Sequence, residues 1–175
     1  MTSRVPALIV HGGAGADPAS GREELRRGIR DVGAAGWAVL HQGGGAVDAV
    51  EAAVCAMEDN PRFNAGRGSV LTMEGTVEMD ASIMEGDGLT SGAVACVTAM
   101  RHPISLARRT IDILKVAADP MQACQVAMDV LVEEGRGGGG LICIDWKGRL
   151  GWAHSTPLMP VGFMSPGHDA PALTF

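Results

Sequence analysis

Runs of glycine cut this chain into short pieces, at Gly12-Gly13, Gly43-Gly44-Gly45, Gly86-Asp87-Gly88 and Gly135 to Gly140. Glycine accepts turns and close backbone approaches that other residues resist, so such runs mark where elements end. They keep no three-residue period, which excludes a collagen helix although 25 of the 175 residues are glycine. Between the runs the apolar pattern changes its period. Leu25, Ile29, Val32, Gly36 and Leu40 recur at helical spacing opposite Glu23, Arg26, Arg27 and Arg30, and predict a helix over Glu23 to Leu40. Val47, Val50, Val54 and Met57 mark a second helix, which Pro61 helps end, and Ala49, Ala52, Ala53 and Ala56 are small enough for close packing on a neighbour. Pro103 and Pro120 stand at helix starts, predicting helices from Pro103 through Arg109 and from Pro120 to Glu133. Strands are expected at Ala7 to Val10, Ser69 to Thr72, Val77 to Met84, Ala93 to Ala99, Leu141 to Ile144 and Leu150 to His154. The tail from Pro157, with its four prolines, reads as loop. Helical blocks flanking strand blocks favour a layered α/β or α+β sandwich over a bundle.

Composition narrows the class. Aromatics are 3% and tyrosine is absent, so the core has to be built from Val, Ala, Leu, Ile and Met. With 46% hydrophobic and 19% charged residues the chain is too apolar for disorder, and its length suits one domain. A net charge of -6 without a basic run argues against a nucleic-acid partner. No apolar stretch reaches the ~18 residues of a membrane span, and Met1 to Pro6 lacks a signal-peptide pattern. Cys55, Cys96, Cys124 and Cys143 lie singly in four apolar elements and form no CxxC, which reads as buried thiols of a reducing compartment. A soluble cytoplasmic protein with no membrane partner is the expectation.

Three places can carry chemistry. The loop His11-Gly12-Gly13-Ala14-Gly15 follows an apolar run and can cradle an anion through backbone N–H groups, or serve as a plain turn. It lacks the spacing of a P-loop or a dinucleotide fingerprint. Asn64-Ala65-Gly66-Arg67-Gly68, after Asn60-Pro61-Arg62-Phe63, is irregular enough to turn carbonyls inward onto a hard cation; the plain alternative is a helix-to-strand connection. Asp80 shares a strand face with Ser82 and is read as a satisfied structural carboxylate. Neither a metal-ligand spacing nor a Cys, G-x-S-x-G or H-E-x-x-H centre is visible.

Five blocks in order carry a resemblance: Leu8 to Gly15, Asn60 to Thr72, Glu78 to Met84, Gly92 to Ala95 and His102-Pro103-Ile104. Together they resemble the N-terminal half of plant-type L-asparaginases, which are also isoaspartyl peptidases and belong to the N-terminal-nucleophile hydrolases. Gly137 to Asp145 with Ser155 to Met159 resembles the end of that family's β subunit. The resemblance implies an αββα sandwich, here internally truncated, in a single domain over residues 1–175 that joins the family's N-terminal half (residues 1–112) to its C-terminal end (residues 113–175). It implies His11, Gly12, Gly13 and Asn64 on the substrate and oxyanion side. It also implies a sodium or potassium ion on backbone oxygens of Met57, Glu58, Asn60, Phe63, Ala65 and Arg67. Substrates of the class would be asparagine and β-aspartyl dipeptides, with a homodimer or a complementary chain as partner.

The departure from the family is as informative as the match. Members cut themselves before a Thr whose new α-amino group serves as its base. Here Leu106 to Arg109 passes almost directly to Asp119 to Cys124, and the segment that would carry this Thr, its partner Thr and the substrate clamp is missing. Gly75-Thr76-Val77 imitates the cleavage motif but precedes Glu78-Met79-Asp80 as an ordinary hairpin does. Thr2 would become N-terminal on removal of Met1, though it precedes the wrong strand. The expectation is a hydrolase relative that is catalytically incomplete, with a non-catalytic interaction protein or remnant as the alternative.

Overall fold

A computed structural model describes residues 5–14, 20–116, 119–135, 138–144, 147–164 and 172–174. The chain divides into two compact units, Met1–Val77 and Glu78–Phe175. Thr2 and Gly15 lie outside the described residues.

The first unit is built on two helices, α1 (Arg22–His41) and α2 (Ala46–Glu58), followed by a 3₁₀ turn at Gly66–Gly68. Their boundaries fall within a residue of those read from the sequence. Gly43 ends α1 at φ 83°, where its N–H donates to the Leu40 carbonyl and that of Gly44 to the Val39 carbonyl, satisfying two free helix-end acceptors. The Gly45 N–H at the start of α2 donates to the Asp48 carboxylate at 3.2 Å. The helices cross where a Cβ on Gly36 would stand 2.8 Å from the Ala49 carbonyl oxygen and 3.1 Å from Ala53 Cβ. Ala49 and Ala53 make this contact, as their size suggested. Val32, Ala53 and Phe63 form the core, with Val10, Leu25, Ile29 and Met57 packed against it.

Two expected strands of this unit do not form. Ala7 to Val10 is extended, since Leu8 and Val10 turn inward while Ala7 and Ile9 face solvent, but among the described residues no strand pairs with it. Its alternation satisfies the core without a ladder, and Ile9 is left 96% exposed. Ser69 to Thr72 spends its backbone groups locally. Thr72 closes a turn with Thr76 (N–H to carbonyl, 2.8 Å), and the Val70 N–H goes to a side chain described below.

The second unit is α+β. Strands β1 (Met79–Glu85), β2 (Thr90–Val97), β3 (Gly140–Ile144) and β4 (Leu150–His154) form an antiparallel sheet in the order β1-β2-β3-β4. Helices α3 (Pro103–Val116) and α4 (Pro120–Gly135) cover one face. Ile104, Leu106, Ala107 and Ile111 of α3, with Ala123, Cys124, Ala127, Met128 and Leu131 of α4, supply the apolar stripe. Met79, Ile83, Val94, Val97, Leu141 and Ala153 answer it from the sheet. The opposite sheet face exposes Asp80, Ser82, Met84, Ile142 and Ile144. A bulge interrupts β1–β2, where a step of two positions from Met79 to Ala81 faces a step of three from Val97 to Val94. It holds Cys96 at φ 56°, and the Asp80 carboxylate accepts the displaced Cys96 N–H at 2.8 Å, so Asp80 is the structural residue it was read as.

The tail departs from the loop expected of its prolines. Val161–Phe163 (β5) pairs with Ala172–Thr174 (β6), and Phe163 stacks on Trp152 of β4 with centroids 5.5 Å apart. One segment lies between Pro160 and Pro166 and the other follows Pro171, so neither contains a proline and both can pair, which proline content alone conceals. The cysteines also differ from expectation, because Cys124 alone is buried, Cys55 and Cys143 are half-buried and Cys96 is exposed. Among the described residues no helix is long and apolar enough to cross a membrane.

Candidate functional site

In the first unit a cleft of about 410 Å³ opens beside the glycine loop. Leu8, Ile9 and Val10 form one wall, and Val50, Val54 and Met57 of α2 form the other. Val50 and Val54 therefore serve as cleft wall, while the alanines one position away hold the helices together. His11, Gly12, Gly13 and Asn64 bring the polar groups. The four residues assigned to the substrate side thus line one cavity, although more than 50 positions separate the loop from Asn64.

Phe63 welds these pieces together. Its ring is 2% exposed. A Cβ on Gly12 would lie 2.9 Å from Phe63 Cδ1, and one on Gly28 would lie 2.9 Å from Phe63 Cζ. The ring occupies the room that the missing side chains leave, so the glycine loop, α1 and the 60–68 segment are positioned by one aromatic residue. Sequence reasoning had placed Phe63 only as a carbonyl donor, and its core role is legible only once α1 and the loop meet.

The polar groups are partly committed. The Gly13 N–H, with Gly13 at φ 99°, donates to His11 Nδ1 at 3.1 Å. His11 in its neutral form therefore carries its proton on Nε2 and presents a donor. The Gly13 amide is thereby withdrawn from the anion cradle that the sequence suggested. Asn64 Oδ1 accepts the Val70 N–H at 3.0 Å, which fixes the amide and leaves its NH₂ as donor. Among the described residues lining the cleft His11 is the only titratable group, and none of them bears a hydroxyl or a thiol. The cleft can hold a carbonyl or carboxylate against donors, and its described residues offer no nucleophile.

The loop below Asn64 is tightly wound. Carbonyls of Met57, Asn60, Phe63 and Ala65 accept the N–H groups of Asn60, Phe63, Ala65 and Gly68 in turn. A Cβ on Gly66 (φ 52°) would meet the Glu58 carbonyl oxygen, and one on Gly68 would collide with that of Phe63. Two carbonyls are thus packed into the loop against glycines, where any larger residue would displace them. Arg62 closes the outside, 3.7 Å from Glu24 of α1, with its N–H on Asn60 Oδ1.

Gly75-Thr76 lies in the exposed Thr72–Thr76 turn. Its Thr76 hydroxyl is 2.8 Å from that of Thr72, and Gly75 takes φ 78°. Nothing there resembles a base poised on a nucleophile.

A family profile described as asparaginase matches residues 4–115. The chain belongs to the asparaginase family. Three relatives bear this out. An isoaspartyl peptidase/L-asparaginase of Danio rerio is 51% identical over 108 residues, covering 62% of this chain and 35% of the relative. That of Homo sapiens is 50% identical over 109 residues, or 61% and 35% of the two chains. A plant-type L-asparaginase of Thermococcus kodakarensis is 52% identical over 107 residues, again 61% and 35%. The aligned part therefore spans about a third of these relatives. Membership places the chain among the N-terminal-nucleophile hydrolases, and the α+β layering of the second unit agrees with that class. Both the cleft and the loop at 57–68 fall inside the matched residues.

Proposed function

We propose that this chain carries the substrate-side loops of an asparaginase/isoaspartyl-peptidase-type hydrolase and does not turn over substrate by itself. The observation that carries the proposal is the cleft, where His11 and Asn64 present donors while none of the described lining residues can attack an amide carbon. Hydrolysis of this kind needs a positioned nucleophile, its base and oxyanion donors, and loss of one member alone costs about a hundredfold or more. In this reading residues 1–112 correspond to the family's N-terminal half and 113–175 to its C-terminal end. Asparagine and β-aspartyl dipeptides are the substrate class that the relatives' names suggest.

The wound loop is part of the same proposal. A sodium or potassium ion held by main-chain oxygens of Met57, Glu58, Asn60, Phe63, Ala65 and Arg67 would supply rigidity rather than chemistry. The chain's own residues then do the positioning, as the loop presents Asn64 and the Val70 N–H orients its amide.

The deciding experiment incubates the purified chain with L-asparagine and with a β-aspartyl dipeptide, assays ammonia and released amino acid, and weighs the chain for self-cleavage. One mass and no product are expected. Turnover that persists in Thr2→Ala would reveal a nucleophile outside this account, whereas turnover lost in that variant would make Thr2 catalytic.

A second reading, a non-catalytic partner of a full-length relative or of another chain, is favoured by the extended Ala7 to Val10 segment. It carries an exposed Ile9 and no strand partner among the described residues, and such an edge is a template for pairing. Co-expression with a full-length relative and co-purification separates this reading from the first.

A further inference from the structure

Two of the four cysteines meet. Cys124 Sγ on α4 lies 3.2 Å from Cys143 Sγ on β3, and Cys143 Sγ donates to the Pro120 carbonyl at 3.5 Å. Rigid elements hold the pair. The Pro120 carbonyl at the head of α4 rests on Gly151 of β4, where a Cβ would collide with it and stand 2.9 Å from Cys143 Sγ. Cys124 is 1% exposed, whereas Cys143 is half-buried and lines a cleft of about 220 Å³ beside Trp152 and Phe163. Both cysteines lie outside the residues that the family profile matches.

We propose that Cys124 and Cys143 form a reversible disulfide that ties α4 to β3 when a small-molecule disulfide is present as oxidant. The Cys143 thiolate attacks one sulfur of the oxidant, giving a mixed disulfide and releasing one thiolate. Cys124 then attacks Cys143 Sγ as its proton is lost, and the second thiolate leaves. Two thiols become one disulfide, the oxidant accepts two electrons, and the two thiol protons end on its two released halves. The order follows from access and charge. Cys143 is the less buried of the two and so the one reagents meet first, while the hydrogen bond to Cys143 and burial push the Cys124 thiol up from its ordinary range, so it does not start the exchange. Contact at 3.2 Å lets it finish.

Such a bond would close a loop over a separation of 19 positions that contains the glycine run Gly137 to Gly140. Its effect falls largely on the unfolded chain, which loses the freedom of that segment.

The test uses the purified full chain, reduced, desalted and then exposed to oxidised glutathione. Trypsin cuts after Lys115, Arg136 and Lys147, so Cys124 and Cys143 lie on separate peptides, distinct from those of Cys55 and Cys96. The expected product is peptide 116–136 joined to 137–147, two hydrogens lighter than the reduced pair and lost on treatment with dithiothreitol. Oxidation should raise Tm by about 5–10 °C. Cys124→Ala should trap glutathione on Cys143, and Cys96→Ser should leave the link intact. The proposal is overturned if glutathione marks Cys96 alone while Cys124 and Cys143 remain free to alkylate, or if the link forms only in urea.

Discussion

At the scale of single residues, the loop His11 to Ala14 keeps its place because Phe63 fills the space above Gly12. A methyl group there would press on an aromatic ring that also touches Gly28, and an overpacked core costs about 1–3 kcal/mol. Gly12→Ala should therefore lower the free energy of unfolding by that amount, read as a lower urea midpoint with m unchanged. A charged pair gives a second prediction. Lys115 Nζ stands 2.8 Å from Glu85 Oε2, and this bond, with that of the Thr90 hydroxyl, holds the Glu85 carboxyl below its ordinary value of 4.5. A carboxyl whose pKa falls on folding stabilises the fold above its unfolded pKa, and the benefit disappears as pH falls through the folded value. The contribution should be complete near neutrality, begin to fall near pH 4.5 and vanish once pH is below the lower folded value. NMR titration of the Glu85 carboxyl should show its midpoint rising in Lys115→Met. Solvent screens so exposed a pair, and the titration rather than the melting temperature is the sensitive readout.

At the scale of elements, the crossing of α1 and α2 rests on small residues. Gly36 admits the Ala49 carbonyl and the Ala53 methyl so closely that a branched side chain has no room. Gly36→Val should separate the helices and destabilise the first unit by about 2–3 kcal/mol or more, since backbone as well as side chains would have to move. The melting curve and the loss of near-ultraviolet signal from Trp37 would report it. The helices were legible because a 3.6-residue period over 13 or 20 residues is hard to imitate. The strands at Ala7 to Val10 and Ser69 to Thr72 misled because an apolar extended run announces its conformation but not its neighbour. A strand exists by pairing, and the partner is a tertiary fact. The hairpin β3–β4 was found because both halves and the Lys147-Gly148 turn are local; β5–β6 was missed because its halves lie about ten residues apart among prolines.

At the scale of the whole molecule, the family match ends at residue 115, and the aligned part spans about a third of each relative. The DNA between the codons of Asp112 and Lys115 supplies the matching prediction. If it reads straight through, the expressed chain should remain a single mass, and its ammonia release from L-asparagine should sit at the uncatalysed background. If it holds a missed coding segment, the longer product should cut itself in two and release ammonia, and the cleft described above should be its substrate side.

What the sequence determined by itself is the set of pieces. Period, glycine punctuation and helix-start prolines defined four helices and the main antiparallel strands, and five spaced blocks defined the family, because all of these are written in neighbouring residues. What the tertiary structure decided is how distant residues meet. It turned Phe63 from a loop residue into the wedge between Gly12 and Gly28, made Val50 and Val54 a cleft wall, gave the Gly13 amide to His11, and set Cys124 against Cys143. Each of these depends on a contact between residues far apart in the chain or on one backbone angle. Close packing fixes both, and spacing along the sequence carries no record of it.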